Sequence, residues 1–129
     1  MALSGGCVSN PAGGVGVDWR LTLDADGAVE QLLDSKLEDA WLARRIRITP
    51  MGLSNTPNGF MAMNTVESLA AKPLSLEYRI DWLDEDGVVI PFDFVLWHSY
   101  TLNPGDNRFL IKPFPPVAAG YRLTVRRKR

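Results

Sequence analysis

The sequence is poor in the residues that form disulfides and metal sites. Its 129 residues include one cysteine, Cys7, and one histidine, His98. A single cysteine excludes a disulfide within the chain. One cysteine and one histidine are also too few for a tetrahedral zinc site of Cys and His ligands within one chain. The sequence therefore predicts a domain without disulfides, and we expect no cofactor.

Charge of one sign and long apolar runs are also lacking. The formal net charge is −1, so no overall field attracts nucleic acid. No apolar run is long enough to span a bilayer. The last four residues, 126–129, are nevertheless all basic. Such a tail is either a solvated chain end or a contact with anionic lipid or another acidic surface.

Catalytic motifs are missing as well. The sequence has no glycine-rich nucleotide loop, P-loop, nucleophile elbow or zincin motif. His98 is followed by Ser99, but neighbouring strand residues point to opposite faces, so the two do not form a base and nucleophile in contact. We therefore expect that the protein is not an enzyme.

Two acidic segments resemble parts of a calcium loop. They are Asp24-Ala-Asp-Gly27 and Asp84-Glu-Asp-Gly87. An EF-hand loop needs a further ligand two residues earlier, where this chain has Thr22 and Trp82. The Asp-Gly pairs instead predict hairpin turns.

The clearest structural pattern runs from Leu74 to Trp82. Apolar and polar residues alternate there over nine positions, as Leu-Ser-Leu-Glu-Tyr-Arg-Ile-Asp-Trp. Side chains alternate across a strand with a period of two. The segment therefore predicts a long antiparallel strand with one packed face and one face in water.

Shorter strand-like segments and turns fill the rest of the chain. Ser35 and Glu38 have the spacing of a capping box and predict one short helix near residues 36–43. Pro50 is expected at a sheet edge or bulge. About seven or eight strands with regular turns predict an all-β, antiparallel sandwich. The predicted strands begin near Trp19, Val29, Ile46, Phe60, Leu74, Val88, Arg108 and Tyr121.

The lone Cys7 could be a small buried apolar residue, a redox-active thiol or a lipid attachment point, and its neighbours favour the last. Leu3-Ser-Gly-Gly-Cys7 is similar to a bacterial lipobox, in which small residues precede an acylated cysteine. Residues 8–16 are small, polar and rich in glycine, as in a flexible linker. We expect residues 1–16 to form a truncated signal, lipobox and tether, and residues 17–129 to form the β-sandwich domain with its basic tail.

The segment from Asn64 to Gly87 resembles the YcfL-like family of bacterial periplasmic lipoproteins, most specifically in its Tyr-Arg-x-x-Trp-x-Asp-x-x-Gly core. The Leu102-Asn-Pro-Gly105 and Ala119-Gly-Tyr-Arg-Leu123 segments also match that family's layout. This resemblance implies an immunoglobulin-like sandwich anchored at the outer membrane and facing the periplasm. It carries over no catalytic residues, and it implies Cys7 as the lipid acceptor.

Two functions remain open from the sequence. The first is a non-catalytic, lipid-anchored module that binds another envelope component, such as a protein. The second is a soluble module that binds carbohydrate or peptide through an aromatic platform. That candidate binding surface consists of Phe92, Phe94, Trp97 and Tyr100, although the same residues could instead alternate between the core and the second face of the sheet.

Overall fold

The computed structural model describes residues 13–24, 27–56, 59–91, 97–113 and 118–128. Eight strands and one short helix occur in this part of the chain: β1 (Val15–Asp24), β2 (Gly27–Leu37), α1 (Ala40–Ala43), β3 (Ile46–Thr56), β4 (Gly59–Ser68), β5 (Leu74–Leu83), β6 (His98–Leu102), β7 (Asn107–Pro113) and β8 (Gly120–Arg127). The four-residue α1 is too short to cross a bilayer, and no other helix occurs within these ranges.

The strands form two antiparallel sheets. The five-stranded sheet has the order β2-β1-β8-β5-β6, and the three-stranded sheet has the order β3-β4-β7. Every strand pairing is antiparallel. One core of buried residues draws on both sheets, including Leu76 and Leu123 from the larger sheet and Val66 and Leu110 from the smaller one. The predicted antiparallel sandwich is confirmed.

The alternating segment lies inside the larger sheet, as β5 between β8 and β6. Its apolar positions Leu74, Leu76, Ile80 and Trp82 are buried, and Tyr78 is half-buried against the same core. The prediction of a strand with one packed face is confirmed. The other face is not fully exposed to solvent, because Asp81 on that face is only 4% exposed.

A buried hydrogen bond joins the two sheets. Asn64 of β4 donates its Nδ2 to the Tyr121 hydroxyl of β8 at 2.9 Å, and both side chains are buried. The Asn64 Oδ1 has no hydrogen-bond partner among the described residues. A buried polar bond of this kind sets how the two sheets align, because a shifted alignment would leave the amide unpaired.

The predicted helix over residues 36–43 is wrong at its start. Lys36 and Leu37 are the last residues of β2 and pair with Gly16 and Val15 of β1. The helix begins only at Ala40, and its N-cap is Asp39 rather than the predicted Ser35. The Asp39 Oδ1 accepts a hydrogen bond from the Leu42 N–H, which supplies the cap.

Two other boundaries differ from the prediction. Residues Val88–Ile90 do not form a strand, since only one bridge joins Val89 to Leu83. Pro91 follows directly and has no N–H with which to extend the ladder. At the N-terminus, β1 begins at Val15, two residues before the predicted start of the domain. The preceding Gly14 has a φ of +64°, which favours glycine, and a Cβ there would collide with the backbone of β8.

The predicted turn at Asp84–Gly87 and the predicted bulge at Pro50 are confirmed, whereas the central residues of the predicted Asp24–Gly27 turn lie outside the described residues. The Gly87 N–H donates to the Asp84 carbonyl, and the Asp84 side chain accepts from the Asp86 and Val88 N–H groups. Gly105, in the Asn103–Asp106 turn, has a φ of +80°. The register of β3 shifts between Pro50 and Gly52, and β3 is an edge strand, as expected for a strand that contains proline.

The inter-sheet bond predicts a measurable coupling between its two residues. We expect Asn64→Leu and Tyr121→Phe to be less destabilising together than the sum of their separate effects, by about 0.5–1.5 kcal/mol, because each single change already breaks the same bond. Urea unfolding of the wild type, the two single variants and the double variant measures this coupling. Strictly additive free energies would show that the bond does not stabilise the fold.

Candidate functional site

The predicted aromatic platform is divided between the two faces of the larger sheet. Tyr100 lies opposite Leu76, faces the core and is only 7% exposed. Burial raises the pKa of the Tyr100 phenol, and the nearby Arg108 opposes this shift. Trp97 is half-buried on the outer face, so it does not share a surface with Tyr100. Phe92, Phe94 and Cys7 lie outside the described residues.

His98 is exposed at the edge of the larger sheet. Its ring stacks on Tyr78 with centroids 5.2 Å apart. Tyr78 in turn meets the edge of the Tyr100 ring at 5.6 Å. His98 is therefore the outermost of three aromatic rings that contact one another in succession, His98, Tyr78 and Tyr100.

The outer face of the larger sheet carries a set of ion pairs across β1, β8 and β5. Arg122 donates from Nε and Nη2 to the two Asp18 carboxylate oxygens at 2.7 and 2.9 Å. Arg79 binds Asp81 in the same two-pronged way, at 3.0 Å for each bond. Paired donors of this kind hold both the guanidinium and the carboxylate in one orientation.

A third ion pair and a tryptophan complete this surface. Arg126 donates from Nε to Glu77 at 2.8 Å. Its guanidinium carbon lies 3.6 Å from the centroid of the Trp97 ring, and that of Arg79 lies 5.5 Å from it. Cation–π attraction therefore fixes Trp97 over the ion pairs. We call this surface, formed by Arg79, Arg122, Arg126, their three carboxylates and Trp97, the arginine face.

A second cluster surrounds α1 at one end of the sandwich. Asp39 is completely buried and accepts two hydrogen bonds from Arg127, at 2.7 and 3.0 Å. The Arg127 guanidinium lies 4.6 Å from the centroid of the Trp41 ring, and that of Arg45 lies 4.0 Å from it. Arg45 also donates to the Trp41 carbonyl at 2.7 Å. Trp41 is thus held by its neighbours while remaining 37% exposed.

An open pocket of about 460 Å³ lies beside Trp41. Its lining combines Trp41, Arg45 and Lys72 with the apolar residues 70, 71, 73 and 74. No carboxylate of the described residues lies within ion-pair distance of Arg45 or Lys72. The pocket therefore suits an anionic group attached to an apolar body. We call the end of the sandwich that contains α1, residues 69–73 and the end of β8 the Trp41 end.

Sequence reasoning missed most of these pairings. Asp18 and Arg122 are 104 positions apart, and Asp39 and Arg127 are 88 apart. Their contact depends on β8 lying between β1 and β5, an order that local alternation does not encode. One signal was readable: an aspartate directly before an apolar helical turn is a common N-cap, and it points to Asp39.

The fold and these surfaces define an antiparallel β-sandwich with structural ion pairs on its larger sheet. The chain belongs to the family described as "Protein of unknown function (DUF1425)", whose model matches residues 33–127. It is similar to a DUF1425 family member from Shewanella sp. pv-4, solved by crystallography at 1.81 Å, with 15% sequence identity and a TM-score of 0.54. The match covers 95% of each chain and supports the fold. The comparison with curated proteins gives no match.

The buried pair predicts a strong effect at Asp39. We expect Asp39→Ala to lower the free energy of unfolding by about 2–4 kcal/mol, because it removes the charge-assisted hydrogen bonds to the half-buried Arg127 and the cap of α1. Asp39→Asn should cost less, because asparagine can still cap the helix. The matched control is Glu67→Gln, which breaks the exposed pair with Arg47 and should cost about 1 kcal/mol or less. Similar losses for Asp39→Ala and Glu67→Gln would contradict a stabilising role for the buried pair.

Proposed function

We propose that this protein is a non-catalytic periplasmic lipoprotein module, YcfL-like in type, that is anchored to the outer membrane through acylated Cys7 and binds another protein of the envelope. The observation that carries the binding role is the arginine face. The observations behind the anchor and the lack of catalysis are separate and follow below.

The arginine face has the composition of a protein-binding surface. Arginine and tryptophan are enriched among the residues that dominate binding energy at protein interfaces. Arg79 and Arg126 use Nε in their ion pairs, and Nη1 of each makes no hydrogen bond to another described residue. These N–H groups can donate to carbonyl or carboxylate oxygens of a partner. Because the carboxylates and Trp97 already hold the side chains in place, binding would cost little side-chain entropy.

The state of the buried carboxylates supports a non-catalytic role. Asp18, Asp39 and Asp81 are all buried, and each is bound by an arginine through two hydrogen bonds. A general acid or base must exchange its proton with a reacting group. Carboxylates held in this way act as structural anions that position arginines.

The position of the first described residues supports the tether. Gly14 lies at the Trp41 end, where its carbonyl accepts a hydrogen bond from the Asp39 N–H at 2.9 Å. Cys7 precedes Gly13 by six residues, and a chain of that length reaches at most about 20 Å. Acylation of Cys7 would therefore keep the Trp41 end within about 20 Å of the lipid headgroups.

The alternative of a carbohydrate-binding module has less support. A sugar stacks on an open aromatic face, whereas the Trp97 ring already carries the Arg126 guanidinium at 3.6 Å. Tyr100 is buried in the core and offers no second ring. These contacts favour a protein partner over a glycan.

Site-specific crosslinking tests the proposed binding surface. A photoreactive amino acid at Ser99, which is exposed on the outer face opposite Glu77, should trap one envelope protein in living cells. The matched control is the same group at Thr49, which is exposed on β3 of the other sheet and should give no such product. The same product from both positions, or a product from Thr49 alone, would contradict the assignment of the arginine face.

Fractionation tests the proposed anchor separately. The protein expressed from its native gene should sediment with the outer membrane, and Cys7→Ser should move it to the soluble periplasmic fraction because the thiol that accepts the lipid is gone. Ser4→Ala, which keeps the thiol, serves as the control and should remain with the membrane. Unchanged sedimentation of Cys7→Ser, or a soluble wild type, would contradict lipidation at this residue.

A further inference from the structure

The Trp41 end has an excess of unpaired positive charge. Five of its basic residues form no ion pair with a described residue: Lys36, Arg44, Arg45, Lys72 and Lys128. All are exposed except the half-buried Arg45. The acidic residues at this end are fewer. Asp39 and Glu67 are paired with arginines, which leaves Glu38 and Asp106 exposed.

Among the described residues, the turn at the opposite end of the sandwich is acidic. β5 runs from the Trp41 end to the Asp84–Gly87 turn, a distance of about 30 Å for ten strand residues. That turn carries Asp84, Glu85 and Asp86, and Arg20 of β1 donates to the Glu85 carbonyl. The net charge of −1 therefore hides a charge separation along the long axis of the molecule. Such a separation would orient the protein in front of a charged surface.

Exposed apolar side chains accompany the positive charge. Leu37 is 62% exposed, Leu69 is 47% exposed and Trp41 is 37% exposed, and all three lie at the Trp41 end. The Leu69 N–H donates to the Arg45 carbonyl, which ties these residues together around α1. Basic residues mixed with leucine and tryptophan are typical of surfaces that rest at a membrane interface, where the indole lies at headgroup level.

We infer that the Trp41 end rests on an anionic phospholipid surface, with a lipid phosphate in the pocket beside Trp41. Arg45 and Lys72 supply the charges that bind the phosphate, and Trp41, Leu37 and Leu69 contact the apolar part of the headgroup region. The inference adds a membrane contact to the proposed function. It rests on the proposed anchor only for which membrane the protein meets in the cell. The contact itself is a property of the Trp41 end and can be measured on protein that carries no lipid.

Vesicle binding tests this contact. The full chain with Cys7→Ser, which cannot be acylated there, is mixed at low salt with vesicles of phosphatidylglycerol and phosphatidylethanolamine. It should bind these vesicles and should not bind vesicles of phosphatidylcholine alone. Raising the salt to about 0.5 M should release it, because charges at an exposed surface are screened. Equal binding to both kinds of vesicle would overturn the inference.

Matched charge removals locate the contact. In the Cys7→Ser background, Lys72→Gln should weaken binding about fivefold, the effect expected for one basic residue near an anionic surface. The triple change Lys36→Gln, Arg44→Gln and Lys72→Gln should weaken it on the order of 100-fold. Arg20→Gln removes the same charge at the opposite end and should leave binding unchanged. Equal losses for Lys72→Gln and Arg20→Gln would overturn the proposed orientation.

Brominated lipids report which tryptophan meets the membrane. Quenching of the tryptophan fluorescence by brominated phosphatidylglycerol should be lost in Trp41→Phe and retained in Trp97→Phe, with circular dichroism confirming that both variants are folded. The reverse pattern would place the arginine face on the lipid and overturn the inference. Binding to polyglutamate without binding to anionic vesicles would also overturn it, in favour of an acidic protein at the same end.

The outcomes separate the inference from the proposed function. Vesicle binding by Cys7→Ser, together with a wild type that is soluble in cells, would support the membrane contact and contradict the anchor. The opposite result is a wild type that is anchored in cells and a Cys7→Ser variant that does not bind anionic vesicles. It would support the anchor and overturn the membrane contact.

Discussion

The alternation of side chains along β8 links the core to both candidate surfaces. Tyr121, Leu123 and Val125 point inward and are almost completely buried. Arg122 and Arg126 point outward, where they bind carboxylates on the neighbouring strands β1 and β5. Because β8 lies between these strands, its arginines bridge them with side chains as well as through the backbone ladder. A change of register by one residue would bury the arginines and expose the core, so the alternation excludes such a slip.

The end of β8 sets the geometry of the two surfaces relative to each other. Arg126 faces outward and holds Trp97, whereas Arg127 turns toward α1 and binds Asp39. Adjacent residues of one strand therefore fix the arginine face and the Trp41 end. The arginine face runs along the strands of the larger sheet, and the Trp41 end lies at one end of the sandwich. A protein that rests on lipid by the Trp41 end would keep the arginine face upright and open to a partner in the periplasm.

Local sequence pattern predicts the strands better than it predicts their neighbours. β5 and β8 show clean alternation, and the Asp84–Gly87 and Asn103–Asp106 turns have the residues that such turns require, so these elements could be read directly. The division of the aromatic residues between two faces was one of two alternatives that the sequence left open, and the structure decides it: Tyr100 of β6 faces the core, whereas Trp97, just before β6, lies on the outer face. The ion pairs of Asp18, Asp39 and Glu77 with their arginines could not be read, because they depend on the strand order. Only Arg79 and Asp81, two positions apart on one strand, form a pair that the sequence places together. The helix start was predicted wrongly, because the pairing of β2 with β1 outweighs a capping box in that segment.

The buried Asp39–Arg127 pair explains why a four-residue helix can hold a fixed position. An isolated helix of this length is unstable in water, because the conformational entropy lost in forming the first turn outweighs the free energy gained from its hydrogen bonds. Here Asp39 caps α1, its N–H binds the Gly14 carbonyl, and its carboxylate binds Arg127. Removing the carboxylate from water is costly, and replacing such a pair with apolar residues is often neutral or stabilising. Its advantage is therefore positional: the pair ties the start of β1, the helix and the end of β8 together, and thereby keeps Trp41 and Arg45 at the mouth of the pocket.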